Sequence, residues 1–278
     1  RKFKVLSLNK IVSVIALNLV SIALGFLGYL DLGTRLLAVV ISNIASLVLI
    51  ACSIIPEFHF YTHAQHYATK ELFMRYKNFF LYDIWGALVN NISWMIVPIL
   101  MNTYYGSFVA GQYAIGLRVI QLPLNLIGAS IGQVFLKNAS EKKYSKQLYN
   151  YVFETTKRLA LISIPFTLIL LVCGRYLFKF IFGPQWEIAG VYVQILAPWA
   201  MVWFISNPIS AVNSILQKQQ IRLIITIGNL ATRFASLYIG SLFHNERFGL
   251  VLFSVSGMII YSLSLFSNLY YSKQSDKL

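Results

Sequence analysis

Apolar runs long enough to cross a membrane recur along this chain, and they restrict it to one class of fold. A helix of about 20 apolar residues spans a hydrocarbon layer about 30 Å thick. Backbone polar groups find no water there, so only helices or closed barrels cross it. The runs therefore predict an all-α, polytopic membrane helix bundle of eight transmembrane helices. They lie near residues 11–30, 36–55, 82–102, 108–134, 159–182, 189–216, 221–243 and 248–271.

The composition supports a membrane protein and argues against nucleic-acid binding. Only 12% of the 278 residues are charged, whereas about 25% is usual in soluble domains. The net charge of +14 would suggest a nucleic-acid partner if the basic residues shared one soluble face. They lie between the apolar runs instead, so no nucleic-acid partner is predicted.

The distribution of lysine and arginine predicts the orientation in the membrane. Of the 23 basic residues, 17 lie at the N-terminus, at the C-terminus and in the connections 56–81, 135–158 and 217–222. Because basic loops stay in the cytoplasm, we expect both termini of this chain to be cytoplasmic. The two long connections are also aromatic, and we expect them to form interfacial helices on anionic lipid headgroups.

Two arginines, Arg118 and Arg233, lie inside predicted spans. Arg118 occurs in "YAIGLRVIQLP", where a guanidinium costs at least about 2.5–3.5 kcal/mol and is tolerated when it faces water or a partner. At 100° per residue, it shares a face with small and polar residues. We therefore predict that Arg118 lines a hydrated cavity, with an ion pair to Asp83 as the alternative. The residues on this face are Gly111, Ala114, Gln121, Asn125, Ala129 and Gly132.

Polar stripes of the same kind mark three further spans. They contain Asp83, Ala87, Asn90, Asn91, Trp94 and Pro98 in the third span; Trp199, Trp203, Ser206, Asn207, Ser210, Asn213 and Gln217 in the sixth; and Arg222, Thr226, Asn229, Arg233, Ser236 and Gly240 in the seventh. Such stripes also occur at tightly packed helix–helix seams. The arginines favour a cavity whose ligand is an anion with hydrogen-bonding groups, such as a sugar diphosphate. The predicted lining residues are Arg118, Arg233, Gln121, Asn125, Asn91, Asp83, Asn229 and Asn207.

Three segments resemble the polysaccharide biosynthesis proteins, the O-antigen (lipopolysaccharide repeat-unit) flippases of the MOP exporter superfamily. The resemblance is carried by "NNISWMIVPILMNTYYGSFVAGQYAIGLRVIQLPLNLIGASIGQVFLKNAS", "FGPQWEIAGVYVQILAPW" and "NPISAVNSILQKQ". It implies a two-lobe transporter, with residues 1–56 as the last two helices of the first lobe and 57–80 as a cytoplasmic linker. Residues 81–278 would form the six-helix second lobe. Four earlier spans would then precede Arg1.

The resemblance also implies a function. Family members move oligosaccharide repeat units on undecaprenyl diphosphate across the bacterial cytoplasmic (inner) membrane, for surface polysaccharide such as O-antigen, capsule or exopolysaccharide. It implies a transporter rather than an enzyme, without a cofactor, coupled to a proton or sodium gradient, and alongside polymerase or assembly proteins. Arg118 in "GLRVIQLP" matches a position that the family commonly fills with arginine. Arg233 and Asp83 have no such match.

Other interpretations remain open at this point. A multidrug or metabolite antiporter of the same superfamily would carry a cation-binding acid within its spans. A membrane glycosyltransferase or polymerase would need a general base such as Asp31, Glu187 or Glu246. The spacing in "HFYTHAQHY" (59–67) would place three histidines on one helix face and suit a metal, although an interfacial helix explains it as well.

Overall fold

The computed structural model describes a helical protein in two compact units, 1–72 and 73–278. The described residues are 15, 17–26, 33, 36–37, 39–44, 46–48 and 79–277, and within them every regular element is a helix. The all-α membrane class predicted from the sequence is therefore confirmed. Each unit is described by itself.

The second unit contains six helical segments long and apolar enough to cross a membrane. They correspond to the last six predicted spans. After a π-helical turn at Phe79–Asp83, the helices are α1 (Ile84–Tyr105), α2 (Ser107–Tyr144), α3 (Leu148–Phe182), α4 (Glu187–Ile209), α5 (Ala211–Ile215), α6 (Gln219–Leu242) and α7 (Glu246–Lys277), with a 3₁₀ turn at Pro184–Trp186 before α4.

The first two predicted spans lie only partly within the described residues. Shorter apolar helices occur at Leu17–Phe26 and at Val39–Val48, where residue 45 is not described. The count of eight spans therefore stays a prediction. The division between the units falls inside the predicted linker 57–80. Because residues 49–78 lie outside the described part, the linker and the three histidines of 59–67 stay predictions.

Glycine makes the sharp reversals at one side of the second unit. Gly106 alone separates α1 from α2, with φ of 89°, and Gly183 ends α3 with φ of 100°. These angles lie in the region where a side chain on Cβ would clash with the backbone. Gly106 is therefore the whole connection between α1 and α2, and the other residues of "NTYYGS" belong to the two helices.

At the other side of the unit, the helices extend far beyond a membrane span. The 38 residues of α2 correspond to about 57 Å, and the basic segment 135–158 forms the end of α2 and the start of α3. Phe135 stacks on Tyr151 at 5.5 Å between ring centroids. Asp276 accepts hydrogen bonds from the first two backbone N–H groups of α3, at 3.0 and 2.8 Å. The connection 135–158 therefore continues α2 and α3, whose ends pack on each other, and does not form the expected interfacial helix. The same expectation for 56–81 stays a prediction, because most of that connection lies outside the described residues.

Helix α4 is the centre of the bundle. In the segment Pro184–Ile215, 67% of the apolar 18-residue stretch is buried, against 22–33% of the corresponding stretch in the other five segments. Small residues permit this burial, since Gly190 packs directly on the backbone of Gly174 and Arg175 in α3. The side chain of Gln112 fixes the start of α4, where it accepts a bond from Ala189 N (3.0 Å) and donates to the Gln185 carbonyl (2.8 Å).

Helices α6 and α7 approach each other most closely at a pair of glycines. A Cβ atom on Gly240 would collide with the Cα atom of Gly249 and with the hydroxyl of Tyr105. That hydroxyl donates a 2.8 Å hydrogen bond to the Leu237 carbonyl. The contact of two backbones without intervening side chains is typical of membrane helix pairs.

The glycine contact leads to a stability prediction. Replacing Gly240→Ala forces α6 and α7 apart and should lower the free energy of unfolding by about 1–3 kcal/mol. The matched control is Gly132→Ala in α2, where a Cβ would meet nothing within 4 Å and helix propensity alone should stabilise by about 0.5–1 kcal/mol. Thermal unfolding of both variants in one detergent measures the difference. Equal unfolding temperatures would contradict the packing described here.

Candidate functional site: a polar cavity in the helix bundle

A cavity of about 960 Å³ opens in the half of the bundle where α1 and α6 begin and α4 ends. Its volume lies at the upper end of the range for small-molecule sites, about 300–1,000 Å³. All four spans with predicted polar stripes contribute to it, together with α7. Its lining residues are Gly86, Ala87, Asn90, Asn91, Trp94, Met95, Pro98, Leu117, Gln121, Asn125, Trp203, Ser206, Asn207, Ser210, Asn213, Arg222, Ile225, Thr226, Asn229, Tyr261 and Ser264.

Five of the eight predicted site residues line this cavity: Asn91, Gln121, Asn125, Asn207 and Asn229. The other three, Arg118, Arg233 and Asp83, lie outside the lining. Whether any of these eight residues binds a substrate stays a prediction.

The lining is polar and nearly uncharged. It contains six asparagines, one glutamine, three serines and a threonine. Among the lining residues that the structure describes, Arg222 alone carries a charge. The expectation that two arginines make the wall electropositive is therefore corrected: the wall offers amide and hydroxyl groups, which both donate and accept hydrogen bonds.

Arg222 marks the end of the cavity nearest the start of α1. Its guanidinium lies 3.6 Å from a carboxylate oxygen of Asp83, and the two side chains are 38% and 12% exposed. Asp83 thus pairs with Arg222 and not with Arg118, which answers the alternative left open by the sequence. Asp83 itself does not line the cavity, contrary to the prediction, whereas its partner Arg222 does.

Arg118 lies on an exposed face of α2, three residues before Gln121 and seven before Asn125. On a helix these three residues lie on one stripe about 10 Å long. To the residues of 79–277, Arg118 makes neither an ion pair nor a hydrogen bond. It therefore extends the polar stripe of α2 beyond the edge of the cavity.

Arg233 is buried, with 3% of its surface exposed. Its guanidinium lies over the ring of Trp94 at 4.2 Å and near Phe253 at 5.5 Å. It donates a 2.9 Å hydrogen bond to the Ser93 carbonyl. Among the described residues no carboxylate lies within ion-pair distance. The expectation that Arg233 faces the cavity is corrected, because aromatic faces and a carbonyl stabilise the cation where water would otherwise be needed.

The stripe of α6 thus serves two purposes along its length. Its first part, with Thr226 and Asn229, lines the cavity. Its second part packs on α7, where Ser236 and Ser256 hydroxyls lie 3.2 Å apart and Gly240 contacts Gly249. The cavity and the helix–helix seam, which the sequence offered as alternatives, both occur on one helix face.

Three tryptophans form the inner end of the cavity. The rings of Trp199 and Trp203 are nearly parallel with centroids 5.8 Å apart, and Trp94 lies 5.2 Å from Trp203 and 5.9 Å from Trp199. Trp94 and Trp203 line the cavity, whereas Trp199 is fully buried. The cavity therefore has an aromatic end opposite Arg222.

The sequence analysis missed the contribution of α7. Tyr261 and Ser264 line the cavity, although the eighth span was not identified as striped. A signal was present, because polar or small residues recur there at intervals of three or four. They are Gly257, Tyr261, Ser264, Asn268 and Ser272.

In residues 79–277 and the described parts of the first unit, no group of three or more histidine, cysteine or acidic residues is arranged to hold a metal ion. The histidines His59, His63 and His66 lie outside those residues.

The amino-acid sequence is similar to one protein family and to a protein from Bacillus subtilis. The family described as polysaccharide biosynthesis protein matches residues 1–191. Over 136 residues, 48% of this chain, it is 25% identical to the teichuronic acid biosynthesis protein TuaB of Bacillus subtilis (strain 168). The match spans 28% of that relative's length. No solved structure matches the chain.

Thiol labelling tests the boundary between the cavity and the seam on α6. With Cys52 and Cys173 replaced by serine, Thr226→Cys should react with a charged maleimide, because it lines the cavity. The matched control, Ser236→Cys, lies ten residues further along the same stripe and is 5% exposed. It should react at least about tenfold more slowly, since thiol reactivity follows access. Equal rates would mean that water fills both parts of the stripe.

Proposed function

Because the chain belongs to the polysaccharide biosynthesis protein family, we propose that it acts in a flippase for lipid-linked oligosaccharide. The substrate would be a repeat unit on undecaprenyl diphosphate, moved across the bacterial cytoplasmic membrane. The observation that carries this proposal is the large amide-rich cavity within helices of membrane-spanning length. A polar head of many hydroxyl groups needs such a path through the hydrocarbon layer.

The distribution of lysine and arginine supports an orientation in which the cavity opens to the cytoplasm. The cavity lies on the side of the basic extensions of α2, α3 and α7, where basic residues favour cytoplasmic placement. Lysines of these extensions would also attract anionic lipid headgroups. A repeat unit would enter from this side while its lipid chain stays in the bilayer.

Two arginines are suited to the diphosphate. Arg222 lines the cavity, and Arg118 lies at its edge with no partner among residues 79–277. A guanidinium presents a planar fork of donors that matches phosphate oxygens. Their charges would replace the water lost by the diphosphate, while the amides of the wall would replace the water lost by the sugars.

Release on the other side would require rearrangement of the packed half of the bundle. There, Gly240 contacts Gly249 and Gly257 contacts Trp199, so no passage lies between α6, α7 and α4. Two-lobe transporters expose a central site alternately by rocking their halves. The same motion, driven by a proton or sodium gradient and without a cofactor, would serve here.

The other two interpretations receive less support from the site. A drug antiporter would use an acid in its pocket, and the described lining residues include no carboxylate. A glycosyltransferase would need a free acid, yet Glu187 bonds Arg175 and Lys179, and Glu246 lies 3.5 Å from the Tyr192 hydroxyl. The third candidate, Asp31, lies outside the described residues. A transporter, and not an enzyme, therefore fits best, working alongside polymerase or assembly proteins.

Substitution of Arg118 tests this function. Arg118→Ala should lower surface polysaccharide at least about tenfold, as expected for one lost charge-assisted contact of about 1.5–3 kcal/mol. Arg118→Lys keeps the charge and should retain part of the activity. The control is Arg247→Ala, an exposed arginine beside Glu246 on the opposite side of the unit. Each variant is compared at equal membrane abundance.

The result that would remove Arg118 from the mechanism is normal polysaccharide in Arg118→Ala. The function itself is tested in proteoliposomes that contain the full-length protein and a fluorescent diphosphate-linked oligosaccharide. If the unaltered protein does not transport this lipid but exports drug-like cations, the antiporter is favoured instead.

A further inference from the structure

We propose that Trp94 and Trp203 form a stacking subsite for one pyranose ring of the glycan, and that Arg233 positions Trp94 from behind. The neighbouring amides would bind the hydroxyl groups of the same ring. This inference rests on the proposed function and adds which part of the substrate this end of the cavity recognises.

Both indoles reach the cavity wall: Trp94 is half-buried, and Trp203 meets the cavity with a small part of its ring, at 7% exposure. Both line the cavity, with ring centroids 5.2 Å apart and planes inclined by 57°. A pyranose ring presents weakly positive C–H groups on its face. The face of an aromatic ring is electron-rich and attracts such groups. The exposed part of Trp94, with the small exposed part of Trp203 beside it, therefore offers an aromatic surface on which a sugar ring can lie.

Hydrogen-bonding groups flank each indole at the spacing of one helical turn. On α1, Asn90 and Asn91 precede Trp94 by four and three residues; on α4, Ser206 and Asn207 follow Trp203 by three and four. All four line the cavity. Residues at these spacings are neighbours on a helix surface. Each apolar ring thus lies beside donors and acceptors, as a sugar requires with its apolar face and hydroxyl rim.

The lining residues favour a neutral group over the diphosphate at the aromatic end of the cavity. The lining residues around the indoles are uncharged, and transferring a diphosphate from water to amides alone would be costly. Arg222 lies seven residues before Asn229 on α6, about 10 Å along the helix axis. The cavity therefore has a charged end and an aromatic end, which suit the two chemical parts of one ligand.

Arg233 is suited to hold Trp94 in place. Its guanidinium lies 4.2 Å from the centre of the Trp94 ring and is itself fixed by the Ser93 carbonyl. It does not line the cavity, so the part of Trp94 that a sugar would meet is the part that Arg233 leaves uncovered. Arg233 is thus a positioning residue, which acts on the ligand through Trp94.

Tryptophan fluorescence tests the subsite directly. In the full-length protein in lipid nanodiscs, every tryptophan other than Trp94, Trp199 and Trp203 would be replaced by phenylalanine, Trp85 and Trp186 included, so that these three report. Methyl glycosides of glucose, galactose and N-acetylglucosamine serve as probes, and inorganic pyrophosphate tests the charged group. We expect at least one glycoside to change the emission saturably, at about millimolar concentration. Pyrophosphate should leave the emission unchanged.

Substitutions then identify the residues responsible. Trp94→Leu should raise the half-saturating glycoside concentration about tenfold, with Trp203 still reporting. The matched control is Trp85→Leu with Trp186→Phe: residue 85 is on the same helix, 55% exposed and outside the cavity lining. It should leave binding unchanged. Arg233→Gln should weaken binding about as much as Trp94→Leu, while Arg233→Lys, which keeps the cation, should restore most of it.

The outcomes separate the subsite from the function. No saturable change with any of the three glycosides, or equal binding by Trp94→Leu and the control, would overturn the subsite even if lipid-linked oligosaccharide is transported. Glycoside binding in a protein that transports no such lipid would support the subsite and contradict the flippase. If Arg233→Gln is only less stable and binds normally, Arg233 has no positioning role.

Discussion

The buried Arg233 guanidinium, which lies against Trp94, marks the boundary between the half of the bundle that contains the cavity and the half that is tightly packed. A cation inside a membrane protein needs water, a counter-charge or an aromatic face. Here aromatic rings and the Ser93 carbonyl meet this need, so water is not required at that depth. Beyond Arg233, α6 and α7 pack through glycine and serine; before it, the same helix faces the cavity.

The amides of the cavity wall follow from the same constraint. An unsatisfied polar group inside a bilayer is costly, so the six asparagines of the lining imply a hydrated wall or a polar ligand. Fixed amides and hydroxyls suit a neutral, hydroxyl-rich molecule, while Arg222 supplies charge at one end of the lining. A charged residue at one end and amides along the rest of the wall suit a ligand whose two ends differ in chemistry.

Much of the fold could be predicted from local sequence, because the bilayer allows few structures. Apolar length alone identified the six spans of the second unit, and the 100° rotation per residue placed Asn91, Gln121, Asn125, Asn207 and Asn229 on the faces that meet at the cavity. The stripe on α7 escaped notice, since serines also occur off its face, as at Ser262 and Ser267. The ends of α2 and α3 were predicted as interfacial helices, although their continuity depends on contacts such as Phe135 with Tyr151.

The sequence by itself determined the helical class, the positions of the spans and the polar faces of four of them, because hydrophobic length and helical periodicity are local properties. Only the tertiary structure decided which polar residues face the cavity and which are packed away. Arg118 and Arg233 look alike in sequence, yet one is exposed and the other lies under Trp94. The difference arises because the partners that stabilise Arg233 come from α1, α4 and α7, far along the chain, and no local pattern brings them together.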